Sequence, residues 1–254
     1  MNTRVKTSSE IAAMRESGKM LATVLDTLSR NVAVGMSTKD LSELAKQTLR
    51  PLGGQPTFLG YQGFPDVLCV SLNDEVVHGI PKPSRLIQEG EVVSMDFGVT
   101  YKGMITDSAV TVGVGKTSKQ VQKLIINTKD SLLAGIYAIK KDVHVGNISE
   151  AVQRVLDKGH YGIVRDLVGH GVGHNLHEDP NIPNYGRKGT GPRLVSGMTI
   201  AIEPMATLGS YEVFTDRDGW TVRTADGSLA AHFEHTVLIT DTGAEILTEL
   251  ATNF

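Results

Sequence analysis

The chain of 254 residues contains a single cysteine, Cys69. No intrachain disulfide can form, and a reducing compartment suits it. It lacks an excess of either charge: 25 lysines and arginines face 28 aspartates and glutamates, for a formal net charge of -3. A general nucleic-acid binder carries a basic excess, so that class is set aside. Long apolar runs are missing too. The stretch from Met1 to Lys19 is polar and charged, with neither the apolar segment of a signal peptide nor a bilayer span. There is no low-complexity stretch, charge block or flexible interdomain linker. What remains is ordinary globular composition, 40% hydrophobic and 21% charged, in a chain long enough for one large domain or two small ones.

What the chain does have is an internal repeat. Val32-Ala-Val-Gly-Met-Ser-Thr-Lys-Asp-Leu-Ser returns as Val143-His-Val-Gly-Asn-Ile-Ser-Glu-Ala-Val-Gln. Arg85-Leu-Ile-Gln-Glu-Gly-Glu-Val-Val-Ser-Met-Asp96 returns, one residue shorter, as Arg193-Leu-Val-Ser-Gly-Met-Thr-Ile-Ala-Ile-Glu203. The starting offsets are 111 and 108 residues, and the second pair closes on a carboxylate in both copies. A unit of about 110 residues is too long for a solenoid, whose repeats run to roughly 20–50. Two pseudo-twofold halves, about 8–115 and 116–250, within one domain over 1–254 are the simpler reading. Apolar residues at Ile11, Met14, Leu21, Val24, Leu25 and Leu28 predict a helix over Glu10 to Leu28. Thr38 is a candidate cap for Lys39 to Leu49. Thr117 with Gln120 resembles a capping box for a helix to about Ala138, and Asn147 with Glu150 one for a helix to about Asp157. β-rich runs cover Val67 to Leu72, Val92 to Val99, Ile105 to Val114, Thr199 to Glu203 and Phe233 to Thr240. Duplicated helices with mainly antiparallel strands give an α+β fold class.

The chemistry starts at Asp96 and Asp107, which flank Thr100-Tyr-Lys-Gly103, a sequence suited to a tight turn. If Tyr101 and Lys102 form a two-residue loop, the carboxylates face each other with Cβ atoms about 4.5–5.5 Å apart. Like charges so placed repel unless a cation lies between them, which points to a metal. A bulge would shift the register, and two unrelated turn-flanking aspartates are the competing reading. Gly169-His170-Gly-Val-Gly-His174-Asn-Leu-His177 misses the spacing of a dinucleotide loop, and its glycines argue against a helical zinc motif. It is either a glycine turn with incidental histidines or a backbone that approaches a site and points one or two histidines into it. Glu203 stands where the repeat maps Asp96. Glu234-His-Thr-Val-Leu-Ile is similar to Asp107-Ser-Ala-Val-Thr-Val at an offset of 127 residues. Each glutamate is either a surface acid at a strand end or a carboxylate that needs a partner once buried. Asp96, Asp107, His170, Glu203 and Glu234 together form a hard, oxygen-rich set, suited to Mn, Fe(II) or Co rather than structural zinc. Four carboxylates are too many for one divalent ion, so two ions about 3.5–4 Å apart are expected, lowering the pKa of a water between them.

The order Asp, Asp, His, Glu, Glu at spacings of 11, 63, 33 and 31 residues resembles the methionine aminopeptidases. His78-Gly-Ile-Pro, Gly169-His-Gly-Val-Gly-x3-His177-x4-Ile182-x-Asn-Tyr185, Ile202-Glu-Pro and Asp218-Gly-Trp220-Thr-Val are similar to their type I signature. The likeness runs from about Ser8 to Leu250. The short gap between Glu203 and Glu234 leaves no room for the helical insertion of type II enzymes. The cysteine-rich N-terminal extension of eukaryotic type I forms is absent, so a bacterial-style type I pattern fits. The resemblance implies a pita-bread fold, duplicated helices packed on a curved, mainly antiparallel sheet. It implies removal of N-terminal methionine from nascent or newly made proteins when the second residue is small. Asp96 would chelate one of two divalent ions (Co, Mn, Fe(II) or Zn). Asp107 and Glu234 would bridge both, and His170 and Glu203 would hold the other, with Glu203 also moving a proton. His78 would contact the substrate backbone, and His177 would polarise the scissile carbonyl. Tyr61, Phe64, Cys69 and Trp220 would line the methionine pocket. The implied partners are N-terminal methionyl peptides and nascent chains, with room for a transient ribosome contact but no specific nucleic acid and no membrane. A cytoplasmic monomer is expected.

Phe58, Leu167 and Leu176 depart from residues common in the family, which bears on the fine shape of the pocket and not on the reaction. Cys69 reads as a small buried hydrophobe rather than a nucleophile. His144, His160 and His232 carry no motif and read as surface or structural. His174 is ambiguous, and Lys140 to Asp142 reads as a solvated helix end. Two rival functions stand beside the main one. Another pita-bread metallopeptidase, of prolidase or aminopeptidase P type, usually carries a separate N-terminal domain, and none fits before residue 8. A non-catalytic pita-bread protein that only binds partners is disfavoured by retention of all five ligands with His78 and His177.

Overall fold

A computed structural model describes residues 5–250. The first four residues of the polar N-terminal stretch, and both extremes of the expected 1–254 span, lie outside the described residues. Four helices form: α1 (Ser8–Asn31), α2 (Thr38–Leu49), α3 (Lys119–Tyr137) and α4 (Val145–Lys158). α1 begins at a capping box of Thr7 and Glu10, and α2 at one of Ser37 and Asp40, one residue ahead of the expected Thr38. Each box satisfies two backbone donors that a helix start leaves free. Ser118, not Thr117, caps α3. The helix expected to open at Asn147 starts at Val145 instead, with no side-chain cap. Its free donors are met by backbone: Val145 N–H donates to Pro192 O at 3.0 Å and Gly146 N–H to Thr190 O at 2.9 Å. The Asn147 amide oxygen is occupied elsewhere, accepting from Gly189 N–H at 2.9 Å. Among the described residues, no helix is long and apolar enough to cross a membrane.

The strands are β1 (Gln55–Pro56), β2 (Cys69–Leu72), β3 (Glu75–Val77), β4 (Val92–Tyr101), β5 (Met104–Gly113), β6 (Gly162–Ile163), β7 (Gly169–Gly171), β8 (Glu178–Ile182), β9 (Thr199–Ile202), β10 (Met205–Thr207), β11 (Val213–Thr215), β12 (Val222–Thr224), β13 (Ala230–His232), β14 (Glu234–Ile239) and β15 (Ala244–Ile246). The main sheet runs β1-β4-β5-β14-β9-β7-β8, with β2 paired to β4 and β15 to β14. Two small sheets, β13-β10-β6 and β11-β12-β3, stand beside it. All these pairings are antiparallel. The architecture is the α+β class expected from the sequence.

The hairpin of β4 and β5 corrects the expected register. Tyr101 pairs with Met104, so the loop is Lys102-Gly103, not Tyr101-Lys102. Both loop residues are left-handed, Lys102 at φ 50° and Gly103 at φ 78°, as a two-residue turn matching strand twist requires. Glycine adopts that conformation without the Cβ penalty. Asp96 therefore pairs with Ala109, and Asp107 with Gly98. The two carboxylates are diagonal neighbours rather than directly opposed. A two-residue slip leaves both on one face.

Side-chain alternation then separates helices from site. Val93, Met95, Phe97 and Val99 of β4 bury against Leu21, Leu25 and Leu28 of α1 and Leu41 of α2. Ile200 and Ile202 of β9 and Val237 and Ile239 of β14 bury against α3 and α4 through Leu132, Ile136, Ile148 and Val152. Residues of opposite parity, Asp96 on β4 and Glu234 on β14, point to the other face of the sheet. The halves also share backbone bridges. Thr38 N–H donates to Arg85 O as Val145 N–H does to Pro192 O, and Ile87 N–H to Met36 O as Leu194 N–H does to Val143 O. Corresponding atoms, like Asp96 and Glu203, lie 107 residues apart, so the first repeat aligns four residues away from the 111-residue match.

Candidate functional site

Strand register gathers the acids. Cys69 pairs with Asp96, Asp96 with Ala109, and Ala109 with Glu234, a single row across β2, β4, β5 and β14. His235 pairs with Ile202, so Glu203, one residue past β9, continues that register beside Glu234. Asp107 sits one step along the hairpin. Its backbone is clamped by the Thr236 hydroxyl, which accepts from Asp107 N–H at 2.9 Å and donates to Asp107 O at 2.7 Å. His170 pairs with Ala201 and so joins from the far side of β9. All five metal-ligand candidates of the sequence come together.

The His170 Nδ1 lies 2.9 Å from Gly171 O. Donation there leaves the Nε2 lone pair facing the acids, 3.5 Å from Glu203 Oε1. Asp107, His170 and Glu234 each offer a ligand atom within 4.8 Å of the other two. Asp96 Oδ1, Asp107 Oδ1 and Glu234 Oε1 are buried without a hydrogen-bond partner, although buried polar atoms are normally satisfied. Burial raises Asp96 from 3.8 to about 7, with Glu203 adding to the effect and His232 opposing it. Burial, then mutual repulsion, pushes Asp107 and Glu234 well above the ordinary carboxylate range. Burial pushes Glu203 up as well, but hydrogen bonding to His232 and the nearness of His170 hold it below its ordinary value. Orphaned anionic oxygens around one imidazole nitrogen fit a divalent cation.

The row opens on a cavity of about 180 Å³ lined by Tyr61, Phe64, Cys69, His78, His177 and Trp220 among others. Phe64 and Trp220 meet edge-on with centroids 5.1 Å apart. Cys69 is buried, and its thiol is pushed well up by burial and the nearby acids, so it is a wall and not a nucleophile. Phe58, Leu167 and Leu176 also line the cavity, as their departures from the family pattern led one to expect. His78 is held at φ 59°, a strained conformation for a residue with a side chain. Its ring lies 6.5 Å from Trp220, and burial lowers its pKa, opposed by Glu203. His177 reaches solvent at one edge. Its Nδ1 is 2.7 Å from the Tyr61 hydroxyl and its ring 4.4 Å from that of His170. Desolvation, then His170, lowers it to about 4.

His174 turns away from the cavity, its Nε2 2.8 Å from Glu10 Oε1. His232, which carries no motif, is 1% exposed and places Nε2 3.6 Å from Glu203 Oε2. Asn184 donates to Glu203 O at 3.0 Å. No local sequence signal marks His232, because its partner lies on another strand of another sheet. His144 gives no side-chain cap to α4, its Nδ1 instead lying 2.9 Å from Gly191 O. Lys140 to Asp142 is exposed, as expected.

Residues 12–241 match the model of metallopeptidase family M24. The methionine aminopeptidase of Clostridium acetobutylicum is 45% identical over 244 residues, 96% of this chain and 98% of that protein. The crystal structure of methionine aminopeptidase from Thermotoga maritima agrees with a TM-score of 0.96 at 44% identity, covering 98% of this chain and 100% of that one. Prolidase from Pyrococcus furiosus shares the fold alone, with a TM-score of 0.77 at 20% identity over 97% of this chain and 65% of that one. The pita-bread architecture expected from the sequence is therefore present. With a family match over most of its length and near-half identity across almost all of it, the chain belongs to metallopeptidase family M24, among the methionine aminopeptidases.

Proposed function

We propose that the chain removes N-terminal methionine from peptides and newly made proteins whose second residue is small, using two divalent ions held by Asp96, Asp107, His170, Glu203 and Glu234. The observation that carries this reading is the placement of partnerless carboxylates beside an aromatic cavity. One end suits a cation, and the walls of Tyr61, Phe64, Cys69 and Trp220 suit a thioether, whose sulfur favours aromatic rings by about 0.3–1.5 kcal/mol. The oxygen-rich donors favour Mn, Fe(II) or Co over structural zinc. Divalent metal, when bound, supplies Lewis acidity and acidifies water at the site.

The side chains divide the remaining work. Glu203, kept ionised beside His232 and His170, takes up the proton that water loses and passes it to the leaving amine. His177 stays neutral at pH 7, since its pKa lies at about 4. With Nδ1 accepting from the Tyr61 hydroxyl, Nε2–H is free to donate to the carbonyl oxygen as charge develops there. His78 contacts the substrate backbone. In this reading the chain is one catalytic domain of two repeats, a cytoplasmic monomer acting on nascent chains with a transient ribosome contact. Hydrolysis of Met-Ala-Ser, Pro-Ala-Ser and Ala-Pro peptides, each with and without Mn(II) or Co(II), tests it. Metal-dependent release of methionine is the expected result. Faster release of Pro from Pro-Ala-Ser, or cleavage of Ala-Pro in preference to Met-Ala-Ser, overturns it.

A further inference from the structure

The residues just ahead of α1 reach the bend between β7 and β8. Lys6 N–H donates to Gly197 O at 2.9 Å. Its ammonium meets Glu178 Oε2 at 2.6 Å, with the lysine side chain 0% and the glutamate side chain 3% exposed. The other oxygen of Glu178 accepts two backbone N–H groups of the bend, His174 at 2.7 Å and Asn175 at 3.0 Å. Gly173, in the same bend, has φ 148°, and a Cβ there would lie 2.4 Å from Lys6 Cε. The lysine stem fills the space a side chain would take. Two residues beyond Asn175 stands His177, against Tyr61 and His170.

Such a pair contributes little to net stability, because an apolar pair of similar volume often serves a fold as well or better. What it does supply is a carboxylate held where it can gather the amides of one bend. We infer that Lys6 is a positioning residue: its ion pair with Glu178 fixes residues 173–177 so that the His177 ring stands in the pocket. The inference rests on the proposed role of His177. Without Lys6, Glu178 keeps a buried charge with no counterion, and the bend opens to hydrate it. A displacement of about 1 Å at a reacting group costs on the order of 10²-fold in rate.

Steady-state kinetics of the manganese-loaded full chain on Met-Ala-Ser test this. Lys6→Met should lower kcat about 10²-fold at unchanged KM, with unchanged metal content by elemental analysis. In a His177→Ala background the same substitution should add no further loss beyond about threefold, since residues acting as a unit are not additive. Lys6→Met with Glu178→Gln removes both charges and should return kcat to within about threefold of the parent. Unchanged kcat in Lys6→Met overturns the inference. So does an equal loss in both backgrounds, which is what a merely structural lysine gives. If His177→Ala alone is as fast as the parent, it is the reading of His177 that fails. Should Lys6→Met not fold, the charge-free double variant decides: folded and fast supports the inference, folded and slow overturns it.

Discussion

Asp96→Asn should make the metal-free protein more stable at pH 8 while abolishing its metal-dependent activity. Burial raises the Asp96 carboxyl from 3.8 to about 7. A tenfold change in acidity corresponds to about 1.4 kcal/mol, so the ionised group costs the metal-free fold on the order of 4 kcal/mol above pH 7. The raised pKa means that the stability Asp96 lends is fully present below about pH 4 and is lost as pH rises through about 7. Asparagine keeps the shape and does not titrate. Its amide sits where Asp96 Oδ1 has no partner, which takes back about 1–3 kcal/mol. The net gain is then about 1–3 kcal/mol, or several degrees of melting temperature at about 2–4 °C per kcal/mol for a chain of this size. Melting of parent and variant should be measured in chelator at pH 5 and pH 8, and again in Mn(II). The variant should melt higher in chelator at pH 8, with a smaller difference at pH 5. Mn(II) at a hundredfold excess over Kd should stabilise the parent by about 2.7 kcal/mol and the variant much less. A variant that melts lower than the parent in chelator at pH 8 refutes the reasoning and makes Asp96 a structural acid.

His177→Ala should lower kcat about 10²–10³-fold with metal content unchanged by elemental analysis; loss of metal would make His177 a ligand and not an oxyanion donor. His232→Ala frees the Glu203 carboxylate 3.6 Å away and should weaken Mn(II) binding about 10–100-fold in titration calorimetry. Unchanged affinity would show that His232 does not orient Glu203.

The carboxylates were legible in sequence because facing depends on parity. The hairpin slips by two residues from the expected register, yet Asp96 and Asp107 still share a face, so the metal reading survives a wrong turn assignment. The start of α4 was not legible. A cap written in side chains can be read from neighbouring letters, but the first amides of α4 are met by the carbonyls of Thr190 and Pro192, more than forty residues away. The repeat offset failed for a related reason. Matching Val-Gly to Val-Gly aligns letters, whereas the fold duplicates backbone bridges at Ser37 with Leu86 and His144 with Arg193. His232 was missed because β13 belongs to a small sheet whose approach to Glu203 leaves no periodic trace. Lys6 was hidden among ordinary N-terminal charges, since nothing local distinguishes a buried lysine from a solvated one.

The place of β14 has a consequence for how the molecule is made. This late strand, Glu234–Ile239, lies between β5 and β9 in the main sheet. During synthesis from the N-terminus, the sheet stays in two pieces until these residues emerge. Each piece then shows an unpaired strand border, the kind of surface that invites pairing between chains. Release of a chain truncated near residue 230 would yield two open borders and no Glu234, an aggregation-prone species unable to complete its ligand set. Closing the sheet and completing the site are thus one kinetic event.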